Sequence, residues 1–306
     1  MKSISNNAIT IAVKEHGAEL ASIICKGREY LWQAYEKYWK RHSPVLFPFV
    51  GALWHGEYRT KGTAYKMGQH GFARDMDFTL ISETDTELWY RLASDEDTQA
   101  KYPYDFILEI GYKLIGNTVR VMWRVENNGD EILPFQIGAH PAFYWPMLDN
   151  AAIDAGVEAM EKELVTTDKR GYFRLDAKSS VLPISDITEG EGGCVGGVSE
   201  IKIEDGYLPL TIHSFDRDAI VIEDSLVSKV TLCDDELRPY VSLQFSSPLV
   251  GLWSPPKKRA PFVCIEPWYG RTDDVNYRGE LADRKWMQSL KPGEKFEAHY
   301  DIIIEQ

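Results

Sequence analysis

Glu266 lies in the stretch PFVCIEPWY (residues 261–269), a carboxylate set among apolar residues and beside a tryptophan. Lost hydration disfavours the charged form of such a group and moves its pKa toward values useful for proton transfer at neutral pH. A glutamate satisfied by an ion pair at a strand end would read the same way, so a partner has to be sought. His140, in QIGAHPAFYW, precedes Pro141, which forces His140 into extended geometry and removes a backbone donor. His70, in GQHGFARD, stands four residues ahead of Arg74 in a stretch without helix periodicity, so both polar heads can hang from a loop at a sheet edge. Each histidine alone is read equally well as structural, His140 capping a strand end and His70 stabilising a turn. His16, His42, His55, His213 and His299 have surroundings that suit surface or structural roles.

Two histidines and a carboxylate can also bind a metal. No HxH or HExxH spacing is present, however, and no catalytic metal is expected. A serine hydrolase is disfavoured because no G-x-S-x-G elbow occurs. Trp54, Tyr144, Trp145, Trp253, Trp268 and Tyr269 flank the polar candidates. Aromatic faces pack well on the C–H face of a sugar ring, so the combination suggests a carbohydrate pocket.

The elements that must position these residues are mainly strands. Apolar side chains alternate from Phe106 to Leu114 and again from Val119 to Val125, with Gly116 and Asn117 between them as a tight hairpin turn. Similar short runs bounded by Gly, Pro, Asp or Asn recur from AITIAV near the start to AHYDIIIEQ at the end. Two helical patterns stand out, at residues 31–41 and 279–290. Strands in succession without intervening helices predict an all-β fold, a large antiparallel β-sandwich with a few short helices. No Pro- or Ser-rich linker divides residues 1–306, which reads as one domain. The glycine-rich stretch 189–197 lacks the Lys-Ser/Thr of a phosphate loop and is expected to be a surface loop.

The formal net charge of −13 repels phosphate backbones and anionic membranes, which argues against nucleic acid as a partner. No apolar window reaches the ~20 residues of a membrane span. The N-terminus has no stretch of signal-peptide type, and the four scattered cysteines suit reduced, buried thiols. A cytoplasmic protein, monomeric or homodimeric, is expected.

The motifs HGFARD (70–75), GAHPAF (138–143) and WSPPKKRAPFVCIEPWYGRTDD (253–274), in that order and with LFPFVGAL upstream, resemble the aldose 1-epimerase (galactose mutarotase-like) superfamily, more narrowly its LacX-type branch. They span nearly the whole chain. The resemblance implies a β-sandwich with a sugar held in a cleft on one sheet, Glu266 as general base and His140 as general acid. It implies that His70 lies near the ring oxygen and that Arg74 contacts sugar or phosphate oxygens. Asp218 is the candidate for holding sugar hydroxyls, and Trp268 for packing on the sugar.

Such chemistry interconverts α and β anomers of an aldose or hexose phosphate by acid/base ring opening, with no cofactor. A nearby carboxylate should favour the imidazolium form of His140. The Asn-Arg and His-x-Tyr-x-Asn-Leu motifs of classical galactose mutarotases are absent, so galactose itself does not follow as substrate. Arg74, Lys257, Lys258, Arg259 and Arg271 could form a basic rim for a phosphosugar. A non-catalytic sugar-binding protein on the same fold is the competing reading.

Overall fold

The alternation of apolar and polar residues is realised as two large sheets in the computed structural model, which describes residues 1–188 and 192–305. Nine strands form one sheet, in the order Tyr207–Thr211, Lys169–Leu175, Lys229–Cys233, Pro239–Phe245, Lys295–Ile304, Thr118–Asn127, Phe106–Ile115, Glu87–Ala93 and Thr79–Glu83. Its centre is the expected hairpin, in which Phe106 pairs with Asn127 and Ile115 with Thr118 around Gly116. The facing sheet runs Val195–Lys202, Val181–Ile187, Ile220–Ile222, Leu249–Trp253, Phe262–Tyr269, Ile137–Ala139 and Val45–Leu46, with Ala142–Tyr144 also paired to Phe262–Tyr269. All these pairings are antiparallel.

The strand Phe262–Tyr269 explains how the sandwich can hold a site. Seven of its eight residues are buried, so neither of its faces meets open solvent. Successive side chains in a strand point to opposite faces. Tyr269 touches Trp123 and Phe296, which belong to the nine-stranded sheet, so its face looks into the interlayer core. Glu266 and Trp268 point to the other side of the sheet and line a cavity on its outer surface.

Neither expected long helix forms. Residues 31–41 make turns around Trp32, whose ring meets Tyr35, Tyr38 and Tyr144 edge-on and whose Nε1–H donates to the Trp39 carbonyl. Ala34 has a φ of 55°, which no right-handed helix accommodates. The aromatic residues of this stretch wrap around one another, and that tertiary packing overrides local propensity. In residues 279–290 only Leu281–Asp283 forms a 3₁₀ turn, while Gln288–Leu290 pairs with Leu133–Phe135 as a strand. Among the described residues α-helices occur instead at Glu96–Gln99, Asn150–Ala155 and Val157–Leu164.

Of the glycine-rich stretch expected to be a surface loop, residues 189–191 lie outside the described residues. Residues 195–197 instead open the edge strand Val195–Lys202. Among the described residues, no helix is long and apolar enough to cross a membrane.

Candidate active site

The pairing register accounts for the meeting of His140 and Glu266. Gly138 is opposite Trp268, and Ala142 is opposite Cys264. The same register on both sides therefore brings His140 across from Glu266, at the point where Pro141 interrupts the ladder. His140 Nε2 lies 3.3 Å from Glu266 Oε2, and the two side chains are 8 % and 1 % exposed. Glu266 Oε2 and His140 Nδ1 are both buried without a hydrogen-bond partner among the described residues.

Glycines on the flanking strands make room for the floor beside the carboxylate. A Cβ on Gly251, directly opposite Glu266, would stand 2.4 Å from the Trp268 ring, and one on Gly138 would stand 2.6 Å from it. The indole thus lies across both neighbouring strands, with its Nε1–H donating to the Ala139 carbonyl at 3.2 Å. His70 is fixed by the Gly51 backbone. Its N–H donates to the Gly51 carbonyl, and its Nδ1 accepts the Gly51 N–H at 3.0 Å, leaving Nε2 to carry the proton. The His70 and His140 rings meet edge to face with centroids 5.6 Å apart.

These groups line a cavity of about 370 Å³ together with Arg74 and Asp218. All six residues singled out in the sequence are therefore brought to one place. Cavity residues that the sequence reading missed include Trp39, whose ring centroid is 4.7 Å from that of His140, with Lys40 and Arg41 following it. The mistaken helix at residues 31–41 concealed them, and the dibasic pair after an aromatic run was the available signal. Of the aromatic candidates, Trp253 and Trp268 line the cavity. Tyr144 and Trp145 are buried in the main core, and Tyr269 packs toward the other sheet.

The expected basic rim is also rearranged. Lys257, Lys258 and Arg259 are exposed and do not line the cavity, because they occupy an outer turn. Arg271 does line it, but its guanidinium is engaged by Glu223 and Asp274. Positive charge comes from Arg74 with Lys40 and Arg41. Arg41 donates to Asp75 at 2.8 Å, whereas Arg74 Nε is buried without a hydrogen-bond partner and lies 3.8 Å from Asp75.

Electrostatics divide the cavity. Burial pushes the Glu266 carboxyl well above the usual carboxylate range, Asp218 adds to the rise, and the nearby Trp268 indole opposes it. Burial and then the charge of Arg74 push His140 down to about 3, with Arg41 contributing in the same direction. His70 is held well below its ordinary value by burial, Arg74, His140 and Arg41. The expected imidazolium at His140 is therefore corrected: desolvation and two arginines outweigh the adjacent carboxyl group. Burial favours an uncharged pair, with the proton on Glu266 and a neutral imidazole.

One ligand atom each from His140, Cys264 and Glu266 falls within 4.8 Å of the others, a donor set that a soft divalent ion could use. Burial, reinforced by Glu266, pushes the Cys264 thiol well above its ordinary value, and this opposes the thiolate such an ion requires.

A sequence model of the aldose 1-epimerase family matches residues 2–302. The chain belongs to this family. It is 29 % identical to the chromosomal LacX protein of Lactococcus lactis subsp. lactis over 311 residues, covering 98 % of each, which places it in the LacX-type branch. Among solved structures it is similar to a galactose mutarotase related enzyme from Lactobacillus acidophilus, with 31 % identity, a TM-score of 0.87 and coverage of 100 % of this chain and 97 % of that one. A galactose mutarotase-like protein from Lactobacillus casei aligns over the whole of both chains at 27 % identity, with a TM-score of 0.86. The galactose mutarotase-like sandwich is thus the fold of this chain.

Proposed function

We propose that this protein is an aldose 1-epimerase that interconverts the α and β anomers of an aldose or an aldose phosphate. The observation carrying this reading is the cross-strand pair itself: a buried carboxyl group and an imidazole 3.3 Å apart, at the wall of a cavity about the size of a monosaccharide site. In the working direction the proton of the pair first passes from Glu266 to His140 across their 3.3 Å contact; Glu266 then removes the proton from the anomeric hydroxyl and His140 protonates the ring oxygen, so the C1–O5 bond breaks to a free aldehyde. Rotation about C1–C2 presents the other carbonyl face, and the two groups return their protons in reverse. His70 Nε2–H is available to hold the ring oxygen, Asp218 to accept sugar hydroxyls, and Trp268 to pack on the ring.

The test is anomer exchange followed by NMR across free and 6-phosphorylated aldoses, with and without a chelator. Acceleration of at least one sugar, unchanged by chelation, is expected. Saturable binding without acceleration of any sugar would replace the reading with that of a sugar-binding protein, and loss of acceleration on chelation would assign the His140–Cys264–Glu266 cluster to a metal.

A further inference from the structure

We infer that Thr272 is the positioning residue for His70: its hydroxyl fixes the Gly51–Ala52 peptide, and that peptide holds the His70 ring with its Nε2–H presented to the cavity. The inference rests on the epimerase reading of the same site, in which that N–H holds the ring oxygen of the sugar.

The need for a positioning group follows from the backbone. His70 has a φ of 67°, a left-handed conformation that is unfavourable for a residue with a side chain and persists only where the surrounding structure over-determines it. Its ring and backbone are both tied to Gly51, whose carbonyl accepts the His70 backbone N–H at 2.8 Å and whose own N–H donates to Nδ1 at 3.0 Å. Gly51 is a weak anchor by itself. Its φ is 75°, and a glycine passes readily between positive and negative φ, so the constraint must come from outside the turn.

Thr272 supplies that constraint. The Gly51 carbonyl and the Ala52 N–H belong to one planar peptide group, so holding one end orients the other. Thr272 Oγ1 accepts the Ala52 N–H at 3.0 Å. The hydroxyl has one proton to give, and the Gly193 carbonyl stands 2.7 Å away to receive it, with the Ala52 carbonyl at 3.0 Å. Contact closes the other side of the turn, because a Cβ on Gly51 would stand 2.5 Å from Thr272 Cβ. Thr272 lines the cavity, but its hydroxyl is engaged by these backbone groups and so acts through the turn and not on the sugar. It is also buried and follows closely on Phe262–Tyr269, the strand that carries Glu266. One segment of chain thus bears the proposed base and sets the distant His70 in register with it.

The experiment compares T272V, which keeps the branched shape and removes the hydroxyl, with T272S, which keeps the hydroxyl. Each is assayed for anomer exchange of an aldose that the wild type accelerates, alone and combined with H70Q. Charge develops on the ring oxygen as the ring opens, so T272V should lower kcat about tenfold or more with KM changed less than about threefold, and T272S should stay within about twofold of wild type. In the H70Q background T272V should cause no further loss of kcat, because the two residues act as one unit. Nitrogen NMR of isotope-labelled histidines should show a single Nε2–H tautomer at His70 in wild type and T272S, and a mixture with the Nδ1–H tautomer in T272V. A threonine of structural importance alone would lower the melting temperature and leave that tautomer unchanged. Equal losses of kcat from T272V with and without His70, a T272S enzyme as slow as T272V, or an Nδ1–H tautomer at His70 in the wild type would each overturn the inference. The wild-type measurement decides even where T272V does not fold. Absence of exchange by the wild type would overturn the epimerase reading, and the tautomer comparison, which uses no turnover, would still decide the positioning.

Discussion

Among the described residues two glutamates are buried within strands, Glu109 at 4 % exposure and Glu266 at 1 %. Glu109 stands directly opposite Arg124 on one neighbouring strand and Arg91 on the other. Both guanidinium groups donate to it, at 2.7 Å from Arg124 and 2.6 Å from Arg91. Burial pushes this carboxyl up, but the hydrogen bonds and charges of the two arginines reverse the shift and hold it below its ordinary value. Glu266 stands opposite Gly251 on one side and in register with His140 on the other, and its carboxyl is raised. The same side chain on the same kind of element is a structural ion when its neighbours are cationic. When they are a glycine and an imidazole it stays unpaired by any cation and its pKa is raised, the state the proposed proton transfer draws on.

The comparison is broken most severely by removing the partner that distinguishes Glu266. H140Q should lower kcat for anomer exchange ~10²–10⁴-fold with little change in KM, because a positioned acid/base group acts in the transition state. A matching rise in KM with kcat intact would make His140 a binding residue. Next in size is G251A, whose methyl group would meet the Trp268 ring. Overpacking should cost about 1–3 kcal/mol in urea denaturation and displace the indole, whose fluorescence should shift. An unperturbed spectrum would show that the sheet absorbs the extra atom.

The smallest expected effect is the most informative about the contrast. E109Q should lose about 1–2 kcal/mol at neutral pH and leave the exchange rate unchanged, the partner arginines being partly exposed. The lowered pKa of Glu109 means that its contribution is present above the unfolded value of roughly 4.3 and is lost as pH falls through the folded value. The deficit of E109Q should therefore shrink on acidification. Glu266 has the opposite sign: with its folded pKa raised, wild type loses stability as pH rises through that value. E266Q should then match wild type in acid and gain on it as pH increases. Melting curves from pH 4 to 8 check both signs.

Much of this was legible in the sequence. Period-two alternation exposed the central hairpin, and the apolar setting of Glu266 with Pro141 after His140 marked the two residues that meet. Register was not legible, because it depends on pairing between strands more than a hundred residues apart. The aromatic stretch at residues 31–41 misled for a related reason. Its spacing fits a helix stripe, but Trp32 recruits Tyr35, Tyr38 and the distant Tyr144 into one cluster, and the resulting turns carry Trp39 and Arg41 to the cavity. The protonation state also escaped local reading. It is set first by the burial of His140 and then by Arg74 and Arg41 acting on it across the cavity, and proximity to a carboxylate predicted the reverse.

The most direct test of the central claim, that Glu266 is kept without a cation for chemistry and not for stability, is the anomer-exchange rate of E266Q on a sugar that it still binds. The rate should fall to that of the protein-free solution, in a variant that melts no lower than wild type. Exchange persisting within a few-fold of wild type would contradict the account and return Glu266 to the ranks of buried structural carboxylates.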